Sequence, residues 1–300
     1  MRKSLITTAV LGALLAPSFV FAADAAPAPD WTLTSNVGVF SQYIFRGLTQ
    51  TDRKAALQGG IDLTHSSGFY AGVWASNISW LRDNSPSYYT SGGSVETDLY
   101  AGFRKEIAST GITADLGVLQ YYYPGQRNKA SYSSFANTTE LYGALSYGWL
   151  QGKISGVVSR DAWEVGKQLP ENEDARGTFY AELNATIPVG DLIGKDAGVL
   201  SGVALIGHVG RQEFQGDKVS SSANYCYGPG SRCYSNNDFS YTDYKLGVQK
   251  SFSEGLFNGT TFGAFATYAD EDEKRVWGTA AGNKRDLGAA TGTAFIQRTF

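Results

Sequence analysis

Long apolar runs are nearly missing from this chain of 300 residues. The one such stretch, Leu5 to Leu15, falls short of the ~20 residues that a membrane-spanning helix needs. Cysteine and histidine occur twice each and methionine once. Cys226 and Cys233 are close neighbours, but His65 and His208 lie far from them and there is no third thiol. A metal site therefore lacks ligands, and neither metal nor cofactor is expected. The net charge is −3 and the pI near 5.5, which argues against a nucleic-acid partner, since that would want a basic stripe. Gly-x-Ser-x-Gly, Walker A and His-Glu-x-x-His spacings are absent as well. No catalytic residue is predicted, and the chain reads as a non-enzyme. His208 has the chemistry of a general base, but a lone strand histidine is more often a packed one, so a hydrolase centred there ranks third among the readings.

The N-terminus has the parts of a secretory signal. Arg2 and Lys3 give the positive start, Leu5 to Leu15 the apolar middle, and Val20-Phe21-Ala22 a small-x-Ala cleavage site. Residues 1–22 are read as a signal peptide, 23–30 as a short extended linker, and 31–300 as one β-rich unit. In an exported chain, Cys226 and Cys233 in their Gly/Ser/Asn-rich surroundings are read as a disulfide stapling a loop. Glycine supplies 36 residues and aromatics 13%, a composition that suits twisted strands and tight turns better than helix packing.

Segment after segment alternates with a period of two. In 94–104, Val95, Thr97, Leu99, Ala101 and Phe103 share one parity, and Glu96, Asp98, Tyr100 and Arg104 the other. The same sorting recurs in 31–46, 55–64, 69–80, 112–123, 138–148, 153–161, 178–187, 203–211, 242–250, 260–269 and 289–300, about twelve strands in all. Long and short linkers take turns: 47–54 is long, 65–68 short, 81–93 long, 106–110 short, 124–137 long. Segments 162–176, 212–240 and 270–288 are long too, while 188–200 is longer than its place in the series calls for. Aromatics on the apolar parity fall into two belts, Trp31, Phe69, Phe103, Tyr147 and Phe300 at one end and Tyr43, Phe45, Tyr122, Tyr244 and Tyr268 at the other. Alternating strands, alternating linkers and two belts predict an all-β fold: a transmembrane antiparallel up-and-down β-barrel of about twelve strands, following a cleaved signal peptide. Its first and last segments must pair, because lipid offers no water to an open strand edge.

Ser41 to Gln50 (SQYIFRGLTQ) resembles the opening signature of the TorF family of porins. Gly68 to Asn77, Glu96 to Phe103, Tyr122-Tyr123-Pro124-Gly125, Tyr147-Gly148, Lys245 to Lys250 and the ending Arg298-Thr299-Phe300 fit as well. The Cys226/Cys233 loop has no counterpart in that pattern. Arg298 stands where barrel endings usually carry a hydrophobic residue. The resemblance implies an outer-membrane barrel of porin type, with no particular substrate attached.

The inward parity carries the candidate site. Arg46, Asp62, Glu96, Asp98, Arg104, Asp115, Glu140, Lys153, Glu182, His208, Asp243 and Lys245 are predicted to line the lumen, since charges facing lipid are costly. Arg46 with Glu96 and Asp98 is the best single group. The expected function is passive passage of small polar or charged solutes, with selectivity from these charges and the outer loops. The alternative is a closed barrel, salt-bridged inside, whose loops carry a structural or surface-binding role. The expected location is the outer membrane of a Gram-negative bacterium. Expected partners are membrane lipids and lipopolysaccharide, small polar solutes, and the barrel-assembly machinery acting on the last strand through Phe300.

Overall fold

Every strand needs a hydrogen-bonded neighbour on each side, and this chain meets the need by closing one sheet on itself. The computed structural model describes residues 30–84, 89–127, 136–163, 174–193, 198–215, 239–271 and 286–300. The expected signal peptide and all of the linker but Asp30 lie outside the described residues, as do Cys226 and Cys233. Twelve strands form the barrel: β1 (Trp31–Phe40), β2 (Ala56–His65), β3 (Phe69–Asn77), β4 (Val95–Glu106), β5 (Ile112–Tyr122), β6 (Thr138–Tyr147), β7 (Leu150–Val157), β8 (Phe179–Pro188), β9 (Val203–Glu213), β10 (Tyr241–Ser251), β11 (Thr260–Glu271) and β12 (Thr291–Thr299). Each pairs antiparallel with its sequence neighbours. β1 and β12 close the cylinder from Asn36↔Thr299 to Phe40↔Phe295, and Ser35 and Phe300 exchange two backbone bonds at 2.8 and 3.2 Å.

Both ends of the barrel chain lie at one rim, together with the connections β2–β3, β4–β5, β6–β7, β8–β9 and β10–β11. All six longer connections emerge at the other rim. The expected long connector at 188–200 belongs to the short-turn rim and is partly structured: a helix covers Val189–Ile193 and a 3-10 turn covers Gly198–Leu200.

Alternate side chains point to opposite faces of a strand, so parity decides what each face meets. Leu33, Leu57, Leu116, Leu145, Ile154 and Leu246 all lie outward and more than half exposed, Leu246 at 73%. Among the described strand residues, outward charges stand only near the ends: Lys105, Lys250 and Arg298 toward the short-turn rim, and Arg211, Glu213 and Asp270 toward the long-loop rim. Trp31, Phe69, Tyr147 and Phe300 are exposed at the short-turn end, where Phe69 meets Phe103 at 5.0 Å. Tyr122, Tyr244 and Tyr268 are exposed at the opposite end.

Two expectations are corrected. The first strand stops at Phe40 rather than running to Arg46, and Tyr43 and Phe45 do not join the outer aromatic belt. From Phe40 through Phe45 each parity mixes two apolar residues with one polar one, Phe40, Gln42 and Ile44 against Ser41, Tyr43 and Phe45, so an extended strand here would have no clean greasy and polar face; the stretch turns inward instead. The seventh strand is Leu150–Val157, so Asp161 belongs to the following loop.

Inside the wall, inward glycines make room for tyrosine rings from an adjacent strand. Tyr100 lies over Gly72, Tyr70 over Gly102, Tyr142 over Gly117 and Tyr180 over Gly210. A side chain at any of these positions would occupy the ring's place, so glycine on one strand supports the aromatic on the next.

Candidate functional site

The interior changes character along its length. Toward the short-turn rim, inward residues such as Thr34, Asp62, Thr64, Tyr70 and Thr113 keep partial or full exposure. Toward the long-loop rim they are buried, among them Trp74, Glu96, Asp98, Tyr121, Glu140 and Asp243. What covers them is the connection from β1 to β2, residues 41–55, folded into the barrel mouth.

A two-residue hairpin shapes this insert. Ile44↔Thr49 and Phe45↔Leu48 pair across Arg46-Gly47. Both central residues have positive φ, 45° at Arg46 and 79° at Gly47, as a type I′ turn demands. Glycine does this freely. Arg46 pays roughly 1–2 kcal/mol for a left-handed backbone, so its side chain must offset the cost. Gly47 is also a contact point, since a Cβ there would lie 2.5 Å from the Asp243 Cβ and 3.1 Å from the Ala269 Cβ.

The Arg46 side chain crosses to the far wall. One guanidinium nitrogen donates to both Glu140 carboxylate oxygens at 2.8 and 2.9 Å, and the other donates to Gln212 Oε1 at 2.7 Å. The guanidinium also lies over the rings of Tyr180 at 4.2 Å, Phe45 at 4.9 Å and Trp163 at 5.1 Å. Charge-assisted hydrogen bonds and stacking of this kind favour arginine over lysine. The Arg46 and Glu140 side chains are 7% and 1% exposed, so removing either leaves the other buried and unpaired. A second tie runs from the Tyr43 hydroxyl to Glu96 Oε1 at 2.6 Å. Tyr123 donates to Glu96 as well. Burial first, and the Glu96 and Asp98 carboxylates after it, push the Tyr43 and Tyr123 hydroxyls well above the usual phenol range, so both stay proton donors.

Other loops complete the plug. Thr49 N–H donates to Leu287 O, and the N–H groups of Ser79 and Trp80 donate to Gln50 O. Leu81, in the short helix Trp80–Asn84, is fully buried. Trp163, from the connection after β7, packs on Phe45, Tyr121 and Phe214. Between insert and wall remains a cavity of about 40 Å³ lined by Phe45, Leu48, Trp80, Trp163, Phe214 and Leu287 among others, with room for a few waters only.

The remaining predicted charges sit on the inner wall in paired sets. Arg104 bridges Asp115 at 2.7 Å, and Asp115 also accepts from Tyr70 at 2.6 Å. Tyr70 in turn contacts the Tyr142 hydroxyl, and Tyr100 donates to Asp62. Lys153 stands 3.9 Å from Glu182 and 4.6 Å from the Tyr142 ring. Lys245 approaches the Phe265 ring at 5.4 Å, on the strand that also carries Asp243. His208 has both ring nitrogens engaged: Nδ1 with Asn184 Oδ1 at 2.6 Å, and Nε2 with the Tyr180 hydroxyl and Asp243 Oδ1, each at 2.9 Å. Both nitrogens are thus held within the hydrogen-bond network of the inner wall.

Arg46, Glu96, Asp98 and Glu140 are brought together at the mouth, whereas Asp62, Arg104 and Asp115 lie toward the other end. Tyr43 and Trp163 are parts of the site that periodicity does not point to, while Gln212 continues the inward parity of His208 one residue beyond the expected segment. The only local signal was the loss of alternation after Phe40; Trp163 lies in an irregular loop and had none.

No curated protein sequence matches the chain. Among solved structures it is similar to the NanC porin, at 12% identity over 90% of this chain and 99% of that one, with a TM-score of 0.46. It is also similar to the KdgM porin, at 7% identity over 89% and 99% with a TM-score of 0.44. The OccD3 (OpdP) protein of Pseudomonas aeruginosa is similar at 10% identity over 92% and 61%, with a TM-score of 0.40. A family model matches residues 24–300, and the chain thereby belongs to the Gcw_chp family of bacterial proteins of unknown function.

Proposed function

We propose that this protein is a porin-like channel of the bacterial outer membrane, passing small polar or charged solutes, with its first long loop as the constriction. The observation that carries this reading is the opposite sorting of the two barrel faces. The outward parity is aliphatic between two aromatic belts and charged only near the rims, as a lipid-facing surface must be. The inward parity bears Asp62, Glu96, Asp98, Arg104, Asp115, Glu140, Lys153, Glu182, His208, Asp243 and Lys245, which a dry structural core has no reason to collect. The partly exposed inner wall toward the short-turn rim acts as a vestibule leading to the insert. Arg46 narrows the passage, and the wall charges with the outer loops set selectivity. The resemblance of residues 41–50 to the TorF porins supports the same reading.

Around this function, residues 1–22 direct export and Cys226 and Cys233 staple an outer loop. The apolar band contacts lipid, the long-loop rim contacts lipopolysaccharide, and β12 through Phe300 is presented to the barrel-assembly machinery. A second reading, a closed barrel whose loops bind at the cell surface, is favoured by the packed plug and the paired inner charges. Planar-bilayer recording on the refolded full mature protein separates the two. Stepwise conductance from the wild type supports the channel; silence from both the wild type and Arg46→Gly leaves the closed barrel.

A further inference from the structure

We infer that the passage prefers cations, and that Glu96 and Asp98 on β4 form the site at which a monovalent cation is held as it crosses; this rests on the channel reading above. Most acids inside the barrel have a basic counterpart. Glu140 has Arg46, Asp115 has Arg104, Glu182 has Lys153, and Asp243 has His208 with Lys245 on the same strand. Among the described residues Asp62, Glu96 and Asp98 have none, and Asp62 accepts from the Tyr100 hydroxyl near the other end of the barrel. Two residues apart on one strand, Glu96 and Asp98 share a face about 7 Å apart along the chain, and they are 1% and 2% exposed. Hydroxyls from Tyr43 and Tyr123 serve Glu96. Among the described residues no donor reaches Asp98 Oδ1.

A buried oxygen of a carboxylate left without donor or counter-charge costs several kcal/mol, and a cation beside it removes that cost, as a proton also does. The surroundings suit a partly dehydrated cation. Trp74 and Tyr121 flank Asp98 in the strand register, on β3 and β5, and both are buried on the inner face. Aromatic faces and phenol oxygens offer a cation what carboxylates do, without further charge. Among the described residues no group of three or more ligating side chains could hold a metal ion, so two carboxylates and aromatic walls fit a passing monovalent ion rather than a resident divalent one. Anions meet the same pair as a barrier, since the Arg46 guanidinium at the mouth is committed to Glu140 and Gln212.

The test is the reversal potential of the refolded mature protein in a planar bilayer under a tenfold KCl gradient. The wild type is expected to favour K⁺ over Cl⁻ by about tenfold or more, the range over which a one-sign cleft concentrates its counter-ion. Glu96→Gln with Asp98→Asn is expected to conduct with a ratio near unity. Asp98→Asn alone keeps the volume and lowers the ratio partway, which covers the case of a misfolded double variant. Conductance with no cation preference in the wild type, or a preference that survives Asp98→Asn and the double variant, overturns the inference and leaves the channel standing. Silence from both the wild type and Arg46→Gly overturns the channel and the inference with it.

Discussion

Arg46 offers the sharpest test of how the mouth is closed. Its guanidinium makes three hydrogen bonds to Glu140 and Gln212 and stacks on three aromatic rings, on a residue whose backbone is left-handed at φ 45°. Replacing it with alanine leaves the Glu140 carboxylate, 1% exposed, with the Tyr121 hydroxyl at 3.1 Å as its one remaining side-chain donor among the described residues. Breaking a buried pair in this way costs about 3–5 kcal/mol. At ~1.4 kcal/mol per power of ten, the balance between the docked and undocked insert moves by roughly two to three and a half powers of ten. Arg46→Gly removes the same contacts but suits the turn, so it should retain about 1 kcal/mol that Arg46→Ala loses. Both variants are expected to show larger or more frequent conductance steps in a bilayer, and both should lower the temperature at which the folded band is lost on heating in SDS. Unchanged conductance together with unchanged heat stability in both variants would refute the idea that Arg46 latches the insert.

Gly47→Ala places a Cβ 2.5 Å from that of Asp243 at a φ of 79°, so the hairpin must shift; a loss of about 2–4 kcal/mol is expected in urea titration. Leu246→Arg puts a charge on the outward face where exposure is 73%, and folding into vesicles should weaken by about 2–4 kcal/mol, against ~0–1 for Leu57→Arg close to the long-loop rim. Equal costs at the two sites would contradict a lipid-facing band. Tyr43 and Tyr123 have hydroxyls held above the ordinary phenol range, so their contribution to stability is full below pH ~10 and fades as pH climbs through the folded values. Absorbance titration should find both ionising only as the barrel unfolds, and Tyr43→Phe should reduce the alkaline loss of stability.

Much of the fold is written in a period of two. Parity in segments such as Val95 to Arg104 separates outward leucines from inward carboxylates without reference to the rest of the chain, because a pleated strand sends neighbours to opposite faces. Alternating linker lengths likewise assign the two rims, and an even strand number follows from a sheet that closes with both ends at one rim. The pairings among inner charges are less legible. Arg104 with Asp115 joins adjacent strands and can be guessed from register, but His208 with Tyr180 and Asp243 depends on how three strands align.

What only the tertiary structure decided is the closed mouth. Arg46 finds Glu140 and Gln212, 94 and 166 residues away, and Tyr43 finds Glu96, 53 away. Nothing local states that residues 41–55 fold inward rather than outward; the choice is made by which surfaces stand opposite once the cylinder closes. Before closure those acids and aromatics belong to separate strands in separate hairpins. Afterwards they face one enclosed volume, where a guanidinium and an apolar hairpin gain more from the wall than from water.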